Sequence, residues 1–201
     1  MPHVDQISFP PFAGIRCLML PYVQGEPASV PERYRTGYDD ILRTVYVKPG
    51  DIGYLTIDES VAEAGKPHRG AHARFARALH TEAGRHPDRQ YAWGGGWGSS
   101  HRVTLDADVR VLIANSLDNT CAVWDVEHRN TSIDGDIGDC AEQYPYAEAH
   151  FMRAGEVYEI GILTPHESLP VRETLQRQFL RIVSSGVHGR EPYFTVNELM
   201  R

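Results

Sequence analysis

Cysteine is scarce in this chain: Cys17, Cys121 and Cys140 are the only three in 201 residues, and no two form a Cys-x-x-Cys pair. An odd, unpaired set argues against a disulfide framework and predicts reduced thiols, with Cys17 and Cys121 serving as small buried hydrophobes. Long apolar runs are missing as well. None approaches the roughly eighteen residues of a spanning helix, and the opening MPHVDQISF has neither the basic nor the apolar region of a signal peptide. These absences predict a cytoplasmic protein without a membrane partner. Positive charge is in deficit: 20 Lys and Arg against 27 Asp and Glu leave a formal charge of −7. General nucleic-acid binding is therefore not expected, because a phosphate backbone would be repelled.

Amphipathic helix is the next thing in short supply. Ala71–Ala83, AHARFARALHTEA, is the one clear helical pattern, with Ala71, Phe75, Ala78 and Leu79 on one stripe and Gly84 as the stop. Elsewhere short strands alternate with turns. Ile15–Val23, Asp39–Val47, Ile52–Ile57, Val109–Ala114, Cys121–Val126, Val157–Leu163 and Leu175–Val183 read as strands. Asn115–Thr120 reads as a hairpin turn joining two of them. Many short strands with little helix point to a β-sandwich or barrel, and the length suits a single domain over residues 1–201. Residues 186–201 read as a C-terminal tail that docks on the domain or on a neighbouring subunit of a homo-oligomer.

Familiar catalytic and ligand motifs are also absent. Tyr91–His101, YAWGGGWGSSH, is rich in glycine but lacks the Lys-Ser/Thr of a phosphate loop, so it reads as a lid in which Trp93 and Trp97 cover a ligand. Asp134, Asp136 and Asp139 have no Glu at the twelfth position of a calcium loop, where Pro145 stands, and read as turn residues. Ser99-Ser100-His101 is no triad, and Cys121 near His128 lies in an apolar strand where a thiol is inert.

The stretch that carries chemistry is Gly161–Val183, GILTPHESLPVRETLQRQFLRIV. Pro165 has no N–H to give a sheet, so the preceding strand ends there and His166 stands at its mouth. In Leu175–Val183, Arg177, Phe179 and Arg181 share one face, which aims an arginine into a cavity where an anion neutralises it.

A strand-end His followed eleven residues later by an inward Arg resembles the end of the double-stranded β-helix in Fe(II)/2-oxoglutarate-dependent oxygenases. The resemblance spans roughly residues 52–183 and implies a mainly β fold, a jelly roll or double-stranded β-helix with one or two helices. It also implies His166 as distal metal ligand and Arg177, with Arg181 as the alternative, as the clamp on the cosubstrate 2-oxoglutarate. The substrate would be a small molecule or a modified residue. Two further ligands should lie upstream as His-x-Asp or His-x-Glu. His72 follows an early strand, but Arg74 stands where its carboxylate belongs. His68 and His72, four apart, would share a helix face and form a three-histidine, cupin-like site with His166. Asp58 or Asp125 would close the site from a neighbouring strand. His80-Thr81-Glu82 has the literal His-x-Glu form, but inside the predicted helix its two side chains would diverge, so it ranks below the others. Two further readings stand beside the oxygenase: a non-catalytic jelly-roll binding or assembly protein, virion components included, which Arg74 favours, and a cupin-type metalloenzyme without a keto acid.

Overall fold

Leu175–Val183 forms β12, the strand about which the larger sheet is built. The computed structural model describes residues 3–67, 77–85, 91–93, 109–129, 135–184 and 194–200. Its other strands are β1 (His3–Gln6), β2 (Arg16–Val23), β3 (Ile52–Ala62), β4 (Leu79–His80), β5 (Ala83–Arg85), β6 (Tyr91–Trp93), β7 (Arg110–Asn115), β8 (Cys121–Val123), β9 (His150–Phe151), β10 (Glu156–Gly161) and β11 (His166–Ser168). They make a six-stranded sheet ordered β1-β10-β7-β12-β3-β2, a four-stranded sheet ordered β4-β11-β8-β9 and a β5-β6 ribbon. All these pairs are antiparallel. The fold is mainly β, as its strand patterning predicts. No described helix is long and apolar enough to cross a membrane.

Alternation along the strands sorts the core into three layers. Val111, Ile113, Tyr158, Ile160 and Val183 from the larger sheet meet Cys121 and Val123 from the smaller one, so the two sheets face each other across this cluster. Leu55, Ile57, Leu180 and Ile182 point to the other side of the larger sheet, where Tyr38, Ile41, Leu42 and Val45 cover them. Leu79, Ala122 and Trp124 pack on the outer side of the smaller sheet with Ile137 and Tyr144. Cys17 and Cys121 are buried, and burial pushes both thiols up to about 12, which makes them inert.

Three local expectations give way. Asp39–Val47 is no strand: Asp39–Thr44 is a helix. Tyr38, Ile41, Leu42 and Val45 recur at the helical spacing of three, four and seven residues, and all four are buried. Within the expected helix Ala71–Ala83, residues 71–76 lie outside the described set, while Leu79–His80 and Ala83 onward are strand. Leu79 and His80 pair with Glu167 and His166, and this tertiary pairing overrides helix propensity. Nor do β7 and β8 form a hairpin: β7 pairs with β10 and β12, β8 with β11 and β9. The link between them carries the chain from one sheet to the other, with Asn119 in the left-handed region at φ 56°.

At the other end of the chain, Thr195 N–H donates to Leu18 O, and Thr195 Oγ1 accepts from Leu18 N–H, both at 2.8 Å. Asn197 bonds Pro21 O and Ser29 O, so the described tail residues lie along β2.

One buried carboxylate ties the outer layer together. Glu59 on β3 accepts from Ala13 N at 2.7 Å, Ile15 N at 3.0 Å, Tyr38 OH at 2.7 Å and Gln178 Nε2 at 2.9 Å. Burial pushes its pKa up, but the bonds from Ile15, Gln178, Tyr38 and Ala13 outweigh burial and hold it below the usual carboxylate range. The folded group therefore binds its proton less tightly than the unfolded one. Its stabilisation is complete above the unfolded carboxyl pKa, about 4.3, and is lost as pH falls through the lower folded value. Denaturant titrations between neutral and acid pH should show a shallower acid loss for Glu59→Gln than for the wild type; identical slopes would contradict this role.

Candidate metal centre

His166 opens β11 and is directly opposed by His80 on β4. Cross-strand partners hold their side chains on one face at contact distance, and here that face is the one turned to the larger sheet, because Val123, the partner of His166 on the other side, lies in the inter-sheet core. The two imidazole centroids are 3.9 Å apart. Glu82 follows His80 by two residues, in the bend between β4 and β5, and its carboxylate returns to the same side. Its Oε1 lies 3.3 Å from His166 Nε2. All three side chains are buried.

The backbone holds these residues firmly. Thr81 N–H donates to Gly135 O at 2.9 Å and Ile137 N–H to Leu79 O at 3.1 Å, so a passing segment pins the chain around His80. Ahead of His166, Thr164 N–H bonds Gly161 O and Thr164 Oγ1 accepts from Gly161 N–H, closing a tight turn after β10. Pro165 cannot continue a ladder, and its carbonyl accepts from Trp124 N. The turn drops the chain into the smaller sheet. On the outer face of β11, Glu167 takes Arg77 Nε and Nη2 at 2.9 and 2.7 Å, and Arg77 stacks 4.2 Å from the Tyr146 ring centroid.

Tautomers follow from the hydrogen bonds. His80 Nδ1 is 2.9 Å from Ala78 O and His166 Nδ1 is 2.9 Å from Thr164 O. A carbonyl only accepts, so each Nδ1 carries a proton, and Nε2 is the ring nitrogen left to serve as a ligand. That is the arrangement metal-binding histidines use, with the outer nitrogen fixed to a backbone carbonyl. Ligand atoms of His80, Glu82 and His166 lie within 4.8 Å of one another. First-row metals hold such atoms at about 2.0–2.2 Å, so a cation among them needs only a modest contraction. Two imidazoles and one carboxylate on one side of a cation form a facial set that leaves the other positions open. The buried group can hold a metal ion.

Comparison with family models and with curated proteins found no match. The site therefore rests on its own geometry.

Several expected residues fall elsewhere. His68 and His72, with Arg74, lie outside the described residues. Asp58 bonds Arg16 at 2.9 Å and Ser60 at 3.2 Å, and Asp125 is exposed. Trp97 lies outside the described residues, while the backbone of Trp93 pairs with Ala83, the residue directly after Glu82. His80-Thr81-Glu82 lies at the end of β4 and in the bend after it, not in the expected helix, and there the two side chains converge.

Both inward arginines of β12 are buried. Arg181 Nη1 donates to Glu82 Oε2 at 2.7 Å across the space between the sheets. Arg177 has a different environment. It bonds Asn115 Oδ1, its Nε is buried without a hydrogen-bond partner, and its guanidinium lies 5.7 Å from the Phe179 ring centroid. Among the described residues no carboxylate pairs with it. Burial drives its pKa down to about 10, and the nearby Cys121 and Asp58 oppose that fall without cancelling it.

Proposed function

We propose that this protein is a non-haem Fe(II)/2-oxoglutarate-dependent oxygenase on a jelly-roll, double-stranded β-helix scaffold. The observation that carries the reading is the convergence of the buried His80, Glu82 and His166, whose ligand atoms lie within 4.8 Å of one another while each imidazole Nδ1 is held by a backbone carbonyl. Two imidazoles and a carboxylate are the donor set of a metal site. Strand order supports the scaffold: β3, β7, β10 and β12 lie in one sheet, and β4, β8, β9 and β11 in the facing one, with the chain passing back and forth between them. Support also comes from sequence order, with His-x-Glu early, a lone His late and an inward arginine on the following strand.

The roles of the chain's own residues follow. His80, Glu82 and His166 hold the metal on one side, and the carbonyls of Ala78 and Thr164 orient the rings. Arg177 takes the distal carboxylate of 2-oxoglutarate, which supplies the anion its buried guanidinium lacks. When bound, Fe(II) supplies the redox chemistry that consumes O₂ and 2-oxoglutarate, releases succinate and CO₂ and places one oxygen atom in a small-molecule substrate. The buried setting strengthens each electrostatic contact. Arg74 favours the non-catalytic reading; Glu82, a carboxylate from another register, supports the metalloenzyme instead.

Anaerobic addition of Fe(II) and then 2-oxoglutarate should produce a weak visible charge-transfer band, saturating at one equivalent of each. A band absent from the wild-type protein would overturn the oxygenase reading.

A further inference from the structure

The two oxygens of Glu82 face different partners. Oε1 lies 3.3 Å from His166 Nε2, on the side where the imidazoles converge, and Oε2 accepts the 2.7 Å bond from Arg181 Nη1. The ligands come from the region of the smaller sheet and this guanidinium from the larger one, where it is fully buried. Its own place is fixed by an irregularity in β2. Register with β3 shifts between Cys17 and Leu20, so Leu20 and Tyr22 rejoin Cys17 in the outer cluster while Met19 turns into the inter-sheet core. Met19 adopts φ 48°, a left-handed conformation that costs free energy in a residue other than glycine. Thr56 Oγ1 and Thr195 Oγ1 accept from the N–H groups of Met19 and Leu18 and hold this bulge in place. The Met19 sulfur then lies 3.0 Å from Arg181 Nη2. A strained, pinned bulge thus backs the guanidinium and keeps it against Oε2.

A carboxylate with one oxygen committed to a buried guanidinium offers a metal only the other. We propose that Arg181 is a positioning residue that restricts Glu82 to one-oxygen coordination and so keeps three adjacent positions of a six-coordinate metal open. The inference rests on the metal-centre reading and deepens it. Three open positions admit a keto acid through two atoms and leave one for a small reactant; a two-oxygen Glu82 would close that last position.

The test uses the full chain loaded with Mn(II). Line broadening of the Mn(II) resonance in ¹⁷O-water counts exchangeable waters, and three are expected in the wild type and in Arg181→Lys. In Arg181→Met, Glu82 is free to close on the metal with both oxygens, so two are expected, with metal affinity lower by about 10–100-fold. A second measurement needs no variant. In the Mn(II)-loaded minus metal-free infrared difference spectrum of ¹³C-glutamate-labelled wild type, one-oxygen coordination widens the gap between antisymmetric and symmetric carboxylate stretches relative to the free ion. Two waters in the wild type, three in Arg181→Met, or a narrowed infrared gap would each overturn the proposal. A wild type that binds no Mn(II) would overturn the metal centre itself, and this inference with it.

Discussion

Replacing Arg177 with methionine is expected to stabilise the protein by about 2 kcal/mol while weakening 2-oxoglutarate binding at least about a hundredfold. The two effects have one cause. At neutral pH the guanidinium stays charged inside the fold, where it donates to Asn115 Oδ1, its Nε is buried without a hydrogen-bond partner, and the field of Asp58 offsets only part of the cost of burial. A fall in its pKa to about 10 measures what burial costs the cation, on the order of 3 kcal/mol at about 1.4 kcal/mol per pKa unit. Part of that gain is returned when Asn115 loses its donor, which leaves the smaller net figure. A bound dicarboxylate supplies the missing charge through two parallel hydrogen bonds, and methionine cannot. Denaturant unfolding with and without 2-oxoglutarate checks both halves. Destabilisation together with unchanged keto-acid affinity would assign Arg177 a purely structural role.

A second large effect is expected at the buried pair between the sheets. Glu82→Leu removes the carboxylate of the candidate metal centre and strands Arg181 without its partner; both side chains are almost fully buried. Breaking one half of such a pair costs about 3–5 kcal/mol, because the remaining charge is uncompensated. The double variant Glu82→Leu/Arg181→Met removes both charges and should recover most of that stability without recovering metal binding. Urea unfolding of the single and double variants, run beside metal titrations, separates the two roles. A double variant no more stable than Glu82→Leu would show that the pair is not coupled.

Much of the scaffold was legible in the residues. Leu175–Val183 forms a strand with the bounds its alternation sets, and Arg177 and Arg181 are both buried on its inner side. His166 also lies in the cluster that the turn at Pro165 led to expect. The convergence of His80 and Glu82 was hidden for a physical reason. Ala, Arg and Leu around His80 favour helix in isolation, whereas β11 and the 135–137 segment supply backbone partners on both sides and hold Leu79–Thr81 out of a helix. Sequence spacing cannot weigh a partner some eighty residues away. A usable signal was nonetheless present in His80-Thr81-Glu82 itself, since the His-x-Glu form makes sense only outside a helix. The Tyr38–Val45 helix was readable too, from its apolar spacing, but β-branched and aromatic content pointed the other way. The bulge at Met19 had no signal, because it depends on Thr56 and Thr195 reaching the β2 backbone.

The most direct measurement of the central claim is an anaerobic Co(II) titration, followed by visible absorption, of the wild type and of His80→Ala, Glu82→Ala, His166→Ala, His68→Ala and His72→Ala. One equivalent should bind the wild type and the His68 and His72 variants, and none of the other three should bind it with comparable affinity. A His80 variant that keeps the metal while the His72 variant loses it would contradict the account.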